Sequence, residues 1–258
     1  MAFKETWASE PTYGALCSIP SGYTVELMAY AGFDWLYIDL EHGAAETADL
    51  IPMLQAASIN RMPTFVRVPW NDPGVIMRAL DSGAAGVVVP MVSDAEQAKR
   101  AAGACRYPPD GYRSWGPLRA ALGVPDYTPK VGNASVICVV MIETVEGAER
   151  VDEIVSVPGV DGVFIGVADL ALSAGLPPAL DSRVPEHVAR IERIIASCNK
   201  HGKVVGTFSG LDTRRWLDLG MRMLMVAGDA GQISSGARQA IDAAKESARS
   251  SGGVAKHS

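Results

Sequence analysis

The 258-residue sequence has no apolar stretch long enough to cross a bilayer, no excess of positive charge and no pair of cysteines at redox or metal spacing. Without about twenty consecutive apolar residues there is no transmembrane helix. The opening MAFKETWASE also lacks the basic and apolar parts of a secretory signal. A net charge of −6 and a pI near 5.3 argue against nucleic acid or an anionic membrane as partner, since both need a basic face. A small anionic substrate needs only local positive charge. Cys17, Cys105, Cys138 and Cys198 stand far apart, with no histidine at zinc-finger spacing, so they read as reduced thiols. The expectation is a soluble, cytoplasmic protein whose partner is a small molecule.

What the chain does have is 48% hydrophobic residues, enough for a full core, arranged in a repeating order. Eight β-rich runs recur: 14–19, 34–40, 64–68, 86–90, 135–142, 161–166, 203–208 and 221–227. They are apolar almost throughout, without in-out alternation, as strands buried on both faces of a parallel sheet are. Helical segments lie between them. In 186–202, Val188, Ile191, Ile194, Ile195 and Cys198 share one face and Gly202 ends the helix. Asn71-Asp72-Pro73 opens another. Eight strand-helix units in about 250 residues predict a single-domain α/β (β/α)8 TIM barrel over 1–249. A doubly wound open sheet is the alternative, but no G-x-G-x-x-G follows the first run. Residues 105–133, rich in Pro and Gly, read as an insertion between strands four and five that serves function or subunit contacts. The tail 250–258 reads as disordered.

In such a barrel the active site lies at the C-terminal strand ends, so polar residues that close apolar strands carry the chemistry. These are Asp39, Glu41 and His42 after strand two, Arg67 in strand three, Glu143 after strand five and Asp169 after strand six. Glu143 and Asp169 end apolar runs, where an unpaired charge is costly. Either a metal resolves that cost or the two are helix caps. Two carboxylates without Cys or paired His point to a hard ion, Mg²⁺ or Mn²⁺, whose open positions a 2-oxo acid can fill. His42 is the natural proton carrier, or else a structural hydrogen-bonding group. Arg67 needs an anion, either the substrate or a nearby Asp or Glu. Asp81, on the helix after strand three, orients His42 or simply ends its helix before Gly83. The glycines of 207–210 and 226–231 lie where many barrels hold phosphate, and Asp229 reads as an N-cap.

The segments AGFDWLYIDLEH, FVRVPWNDPGVIMRALDSGAAGVVVPMV, RYPPDGYR, MIETVEG and GVDGVFIGVADLALSAG, in this order, resemble the class II pyruvate aldolases of the HpcH/HpaI type, from about Tyr13 to Gly231. The resemblance implies metal on Glu143 and Asp169 (Mg²⁺ or Mn²⁺, with Co²⁺ a third choice). It implies His42 as acid/base with Asp81 as its partner, Arg67 on the keto or enolate oxygen, and Asp39 and Glu41 behind them. Leu16, Met141, Gly166 and Ala168 fall at substrate-contacting positions. A homohexamer or homotrimer is implied as well. The chain departs from the family pattern where Met141 replaces Gln, Leu16 replaces Trp, Val167 replaces Pro, and Ser114-Trp115 replaces a small residue.

The implied reaction is reversible cleavage of a 4-hydroxy-2-oxo acid to pyruvate, or an analogue such as hydroxypyruvate, and an aldehyde. No lysine ends a strand at the mouth, and Lys203 opens strand seven, so no Schiff base is expected. Oxaloacetate decarboxylation and a coenzyme A-dependent lyase are the related alternatives, although no basic patch for coenzyme A is evident. A non-catalytic 2-oxo acid sensor is the third.

Overall fold

Eight apolar runs pair in parallel and in chain order, and β8 closes back on β1, in a computed structural model that describes residues 2–180, 183–209 and 213–251. The strands are β1 (Thr12–Cys17), β2 (Trp35–Asp39), β3 (Thr64–Arg67), β4 (Gly86–Val89), β5 (Ile137–Ile142), β6 (Gly162–Ile165), β7 (Val204–Phe208) and β8 (Met223–Gly228). The helices are α1 (Ala2–Ser9), α2 (Gly22–Ala29), α3 (Leu50–Ile59), α4 (Pro73–Asp81), α5 (Ala95–Cys105), α6 (Pro129–Ser135), α7 (Val145–Glu149), α8 (Val151–Val155), α9 (Val167–Ser173), α10 (Pro185–Lys200), α11 (Thr213–Asp218) and α12 (Asp229–Ser251). This is the (β/α)8 barrel expected from the rhythm of the sequence.

The missing alternation has a direct cause. On β5, Ile137, Val139 and Met141 point into the barrel and meet Trp35, Tyr37, Phe65 and Phe164. Cys138, Val140 and Ile142, between them, join the layer under the helices. Both faces are dry, so both are apolar. Large interior side chains need small neighbours: a Cβ on Gly14 would lie 2.3 Å from the Trp35 indole. The expected start of α4 also holds, since Asp72 accepts from the amides of Gly74 and Val75 and Pro73 takes the first helical position. On α10 the apolar face differs by one residue: His187 is fully buried, and Val188 only partly.

Three segments lie outside the strand-helix rhythm. First, α1 closes the N-terminal end of the barrel: Trp7 is buried against Phe65, and Lys4 donates to the Val136 carbonyl and pairs with Asp161. Secondly, the insertion runs from the end of the crossover helix α5 into α6, which forms its last part. Barrel helices run back against the strands, so an α-to-β connection lies at the N-terminal rim. Arg113 there binds Asp81 at the end of α4, and Arg119 reaches the Leu54 carbonyl and Ser58 at the end of α3. The insertion is therefore on the far side of its own barrel from the polar strand ends. Thirdly, α12 continues to Ser251, so the expected disordered tail cannot begin at 250; residues 252–258 lie outside the described part. Along α12, every side chain from Ala230 to Arg249 is exposed.

Candidate active site at the barrel mouth

Asp39 ends β2 facing inward and has two jobs. Its Oδ1 accepts from the amides of Glu41 and His42 at 3.0 and 3.2 Å, which shapes the turn after the strand. Both carboxylate oxygens also accept from Arg67 on β3, Nε to Oδ1 at 2.8 Å and Nη2 to Oδ2 at 2.7 Å. This bidentate fork fixes the guanidinium plane. Asp39 is 2% exposed. Burial alone would raise its pKa, but Arg67 and the two amides outweigh burial and hold the carboxyl below its ordinary value. Arg67 also lies 5.7 Å over the Tyr37 ring. The sequence left open whether the partner of Arg67 is substrate or protein. It has a protein partner, and N–H groups on Nη1 and Nη2 are left over.

Glu41 Oε2 lies 2.9 Å from Arg67 Nη1 but off the N–H direction, and it has no other hydrogen-bond donor among the described residues. Burial raises the Glu41 pKa against the opposing charges of Arg67 and His42. The His42 side chain is 68% exposed, and Glu41 Oε2 is 3.8 Å from its Nε2. Among the described residues the ring makes no hydrogen bond.

Glu143 follows β5 and is buried; its Oε1 accepts from the Met91 amide at 2.6 Å. Met91 takes a left-handed φ of 57°, rare for a residue with a side chain, to present that amide. Burial lifts the Glu143 pKa to about 7, helped by the negative charges of Glu41 and Asp169 and opposed by the Met91 amide and Arg67. Asp169 follows the buried run of β6 and Val167 and occupies the first turn of α9, exposed and with no capping hydrogen bond to it, so it is not the side-chain cap considered above. Between the two acids, a Cβ on Gly166 would fall 2.6 Å from Glu143 Oε2. Glycine thus keeps open the space in front of that oxygen. A buried, electron-rich carboxylate, a second acid charge acting on it and a gap beside it fit a divalent cation. No group of three or more His, Cys, Asp or Glu side chains among the described residues could hold a metal by itself. A two-carboxylate site needs water and substrate to complete it.

Leu16 borders the interior cluster next to Gly228. Met141 lies under Arg67, its Sδ 4.0 Å from Nη1 and 3.9 Å from the Tyr37 hydroxyl. Ala168 shares the first turn of α9 with Asp169, and Val167 takes the N1 position where proline would also fit. Asp81 is elsewhere: its Oδ1 accepts from Arg113 Nη2 at 2.6 Å at the N-terminal rim, so within one chain it does not meet His42. Lys203 is at that same rim, donating to the Val160 carbonyl. Gly210 lies outside the described residues. Asp229 is no ordinary N-cap: it is buried and accepts from Ser18 N, Ser18 Oγ and Ile19 N, fastening the end of β1 to the end of β8. Neither this clamp nor the Met91 amide was foreseen. The clamp depends on closure between the first and last strands, and a backbone amide leaves no residue-type signal.

The model of the HpcH/HpaI aldolase/citrate lyase family matches residues 19–231. A 5-keto-4-deoxy-D-glucarate aldolase of Klebsiella pneumoniae is 37% identical over 244 residues, 93% of this chain and 94% of that one. A hydroxypyruvate/pyruvate aldolase of Rhizorhabdus wittichii is 36% identical over 233 residues, 90% of this chain and 93% of that one. The crystal structure of an HpcH/HpaI aldolase/citrate lyase family protein from Burkholderia cenocepacia superposes with a TM-score of 0.87 at 32% identity, covering 95% of this chain and 99% of that one.

Proposed function

The chain belongs to the HpcH/HpaI aldolase/citrate lyase family and is a carbon–carbon lyase of the metal-dependent aldolase class, and from this premise we propose a site and a course for its reaction. The substrate is a 4-hydroxy-2-oxo acid, cleaved to pyruvate or hydroxypyruvate and an aldehyde. One observation carries the site: a guanidinium clamped by Asp39 shares a rim with a buried carboxylate, Glu143, that the fold leaves short of positive charge.

Glu143 and Asp169 would hold the divalent ion, Mg²⁺ or Mn²⁺ before Co²⁺, because hard ions prefer oxygen ligands. When bound, that ion supplies Lewis-acid polarisation of the 2-oxo group. The chain's own groups do the rest. The free N–H groups of Arg67 bind the 2-oxo oxygen and stabilise the negative charge that develops there. His42 takes the proton of the C4 hydroxyl, the C3–C4 bond breaks, and C4 leaves as the aldehyde carbonyl. The bonding pair passes to C3 as the enolate, which is protonated to give pyruvate.

The test is pyruvate release from a 4-hydroxy-2-oxo acid, with carbon dioxide release from oxaloacetate measured beside it. Chelation should abolish release and Mg²⁺ or Mn²⁺ restore it, while borohydride traps nothing; turnover that survives thorough chelation overturns the scheme. His42→Ala should keep pyruvate binding and lose about 10²–10⁴-fold in turnover. Loss of binding and turnover together would make His42 a structural residue.

The protein assembles as a homo-oligomer on this reading, in the homohexamer or homotrimer that the family resemblance implies. The support is apolar surface without cover. Ile233 and Ile241 on α12 are 59% and 51% exposed, and Tyr23, Leu27 and Tyr30 form an exposed stripe along α2 and its C-terminal cap. A long amphipathic helix left in water favours a second copy as its partner. Ile233→Asp with Ile241→Asp should yield a smaller particle in sedimentation or light scattering; an unchanged mass refutes α12 as the contact.

A further inference from the structure

At the N-terminal rim, opposite the polar strand ends, a cavity of about 280 Å³ lies where four segments meet. Phe3 and Lys4 come from α1, Leu80 from the end of α4, Ile137 from the start of β5, and Arg113 and Tyr127 from the insertion. The insertion thus builds one wall of this space. Trp115 stiffens that wall by packing on Tyr107 and Tyr127, with ring centroids 5.1 and 5.9 Å apart. The volume is at the lower edge of the roughly 300–1,000 Å³ of pockets that enclose a whole ligand, so the space suits a small molecule.

Its polar groups ask for a negatively charged acceptor. Arg113 is 3% exposed. Its Nη2 donates to Asp81 Oδ1 and its guanidinium lies 4.6 Å over the Tyr107 ring, but Nε is buried with no acceptor among the described residues. Buried donors are nearly always paired, so this one marks the place of an acceptor atom. Lys4 Nζ meets the Val136 carbonyl and Asp161, which leaves one of its three protons over. Asp161 is shared with Arg106. Arg119 Nη1 lies 2.7 Å from where a Cβ on Gly83, at the cavity wall, would stand. Among the described residues Arg119 donates only to the Ser82 and Leu54 carbonyls and the Ser58 hydroxyl. Four cations at this rim, Lys4, Arg106, Arg113 and Arg119, therefore have two acids, Asp81 and Asp161, in their ion pairs. That local surplus favours an anion in a chain whose net charge is −6.

Most of the remaining lining is apolar, with Phe3, Leu80 and Ile137 its largest members, and an apolar body gains by leaving water for it. No His, Cys, Asp or Glu lines the space among the described residues, so its chemistry is binding and not turnover. We propose that this cavity is a second ligand site, separate from the mouth, for a small monocarboxylate with an apolar body. The carboxylate accepts from Arg113 Nε, and the body lies against Phe3, Leu80 and Ile137. The site is independent of the aldolase reading, because none of its residues belongs to the mouth.

The experiment is titration calorimetry of the full chain with 4-methylpentanoate, with Mg²⁺ and pyruvate present to occupy the mouth. One carboxylate should bind per chain. 4-Methylpentan-1-ol, which keeps the body and lacks the charge, and inorganic phosphate, which lacks the body, should each bind about tenfold more weakly or worse. Arg113→Met should weaken carboxylate binding by about tenfold or more. Ala120→Phe, which fills the cavity from the insertion and leaves every charge in place, should do the same, and it decides the matter if the arginine variant fails to fold. Glu143→Gln, at the mouth, should bind the carboxylate as the wild type does. No binding at millimolar carboxylate, binding unchanged in Ala120→Phe, or binding lost in Glu143→Gln overturns the site. Alcohol or phosphate binding as tightly as the carboxylate overturns the ligand class.

Discussion

Glu143→Gln is expected to make the metal-free protein more stable while removing its turnover. The glutamate's pKa, about 7 in the fold against an ordinary 4.5, means that folding favours the neutral acid. Below about pH 4.5 it is neutral folded and unfolded, and it contributes nothing to the pH dependence. As pH rises toward 7 the unfolded chain ionises first, so stability falls; above 7 the full cost, roughly 3 kcal/mol, is present. The amide can still accept from Met91 and carries no charge. At pH 8 the variant should melt about 3–6 °C higher than the metal-free wild type, and at pH 5 the difference should shrink. Added Mg²⁺ or Mn²⁺ should raise the wild-type melting temperature at pH 8 and leave the variant unmoved, whose turnover falls about a thousandfold or more. A variant that melts lower at pH 8, or still responds to the ion, would remove Glu143 from the metal site.

Arg67→Met acts in the opposite direction on stability. It leaves the Asp39 carboxylate buried without its guanidinium, and breaking such a pair from one side costs about 3–5 kcal/mol. In the wild type the depressed Asp39 pKa contributes stability that is complete above its ordinary value of 3.8 and is lost as pH falls through the lower folded value. In the variant burial acts unopposed, so the deficit should be largest at neutral pH and shrink as Asp39 takes up a proton. Thermal melts at pH 4 and pH 7 check this. Adding Asp39→Asn should recover most of the stability. Turnover, down about 10²–10³-fold for loss of an oxyanion donor, should stay down in the double variant. If the second change also restored turnover, Arg67 would be serving only to neutralise Asp39.

The barrel was legible because its signal is local. Each strand is a short apolar run, each helix carries its own periodicity, and Asp72-Pro73 and Gly202 mark helix ends by backbone chemistry alone. The candidate site was legible for a related reason. A charged residue at the end of an apolar run is conspicuous in any parallel barrel, which is how Asp39, Arg67 and Glu143 stood out. His187 was hidden by its type, since nothing local distinguishes a buried histidine on a helix from an exposed one.

By itself the sequence determined the eight-fold order of elements and the set of acid, base and guanidinium at the strand ends, because both follow from which residues sit within a few positions of one another. Only the tertiary structure decided partnerships between distant segments. It gave Arg67 to Asp39 across two strands and Asp81 to Arg113 instead of His42. It also fastened Asp229 to Ser18 across the closing seam and turned the insertion to the far rim. The physical reason is common to all four. A hydrogen bond or ion pair forms over about 3 Å, and closure of the barrel, not distance along the chain, sets which groups come that near.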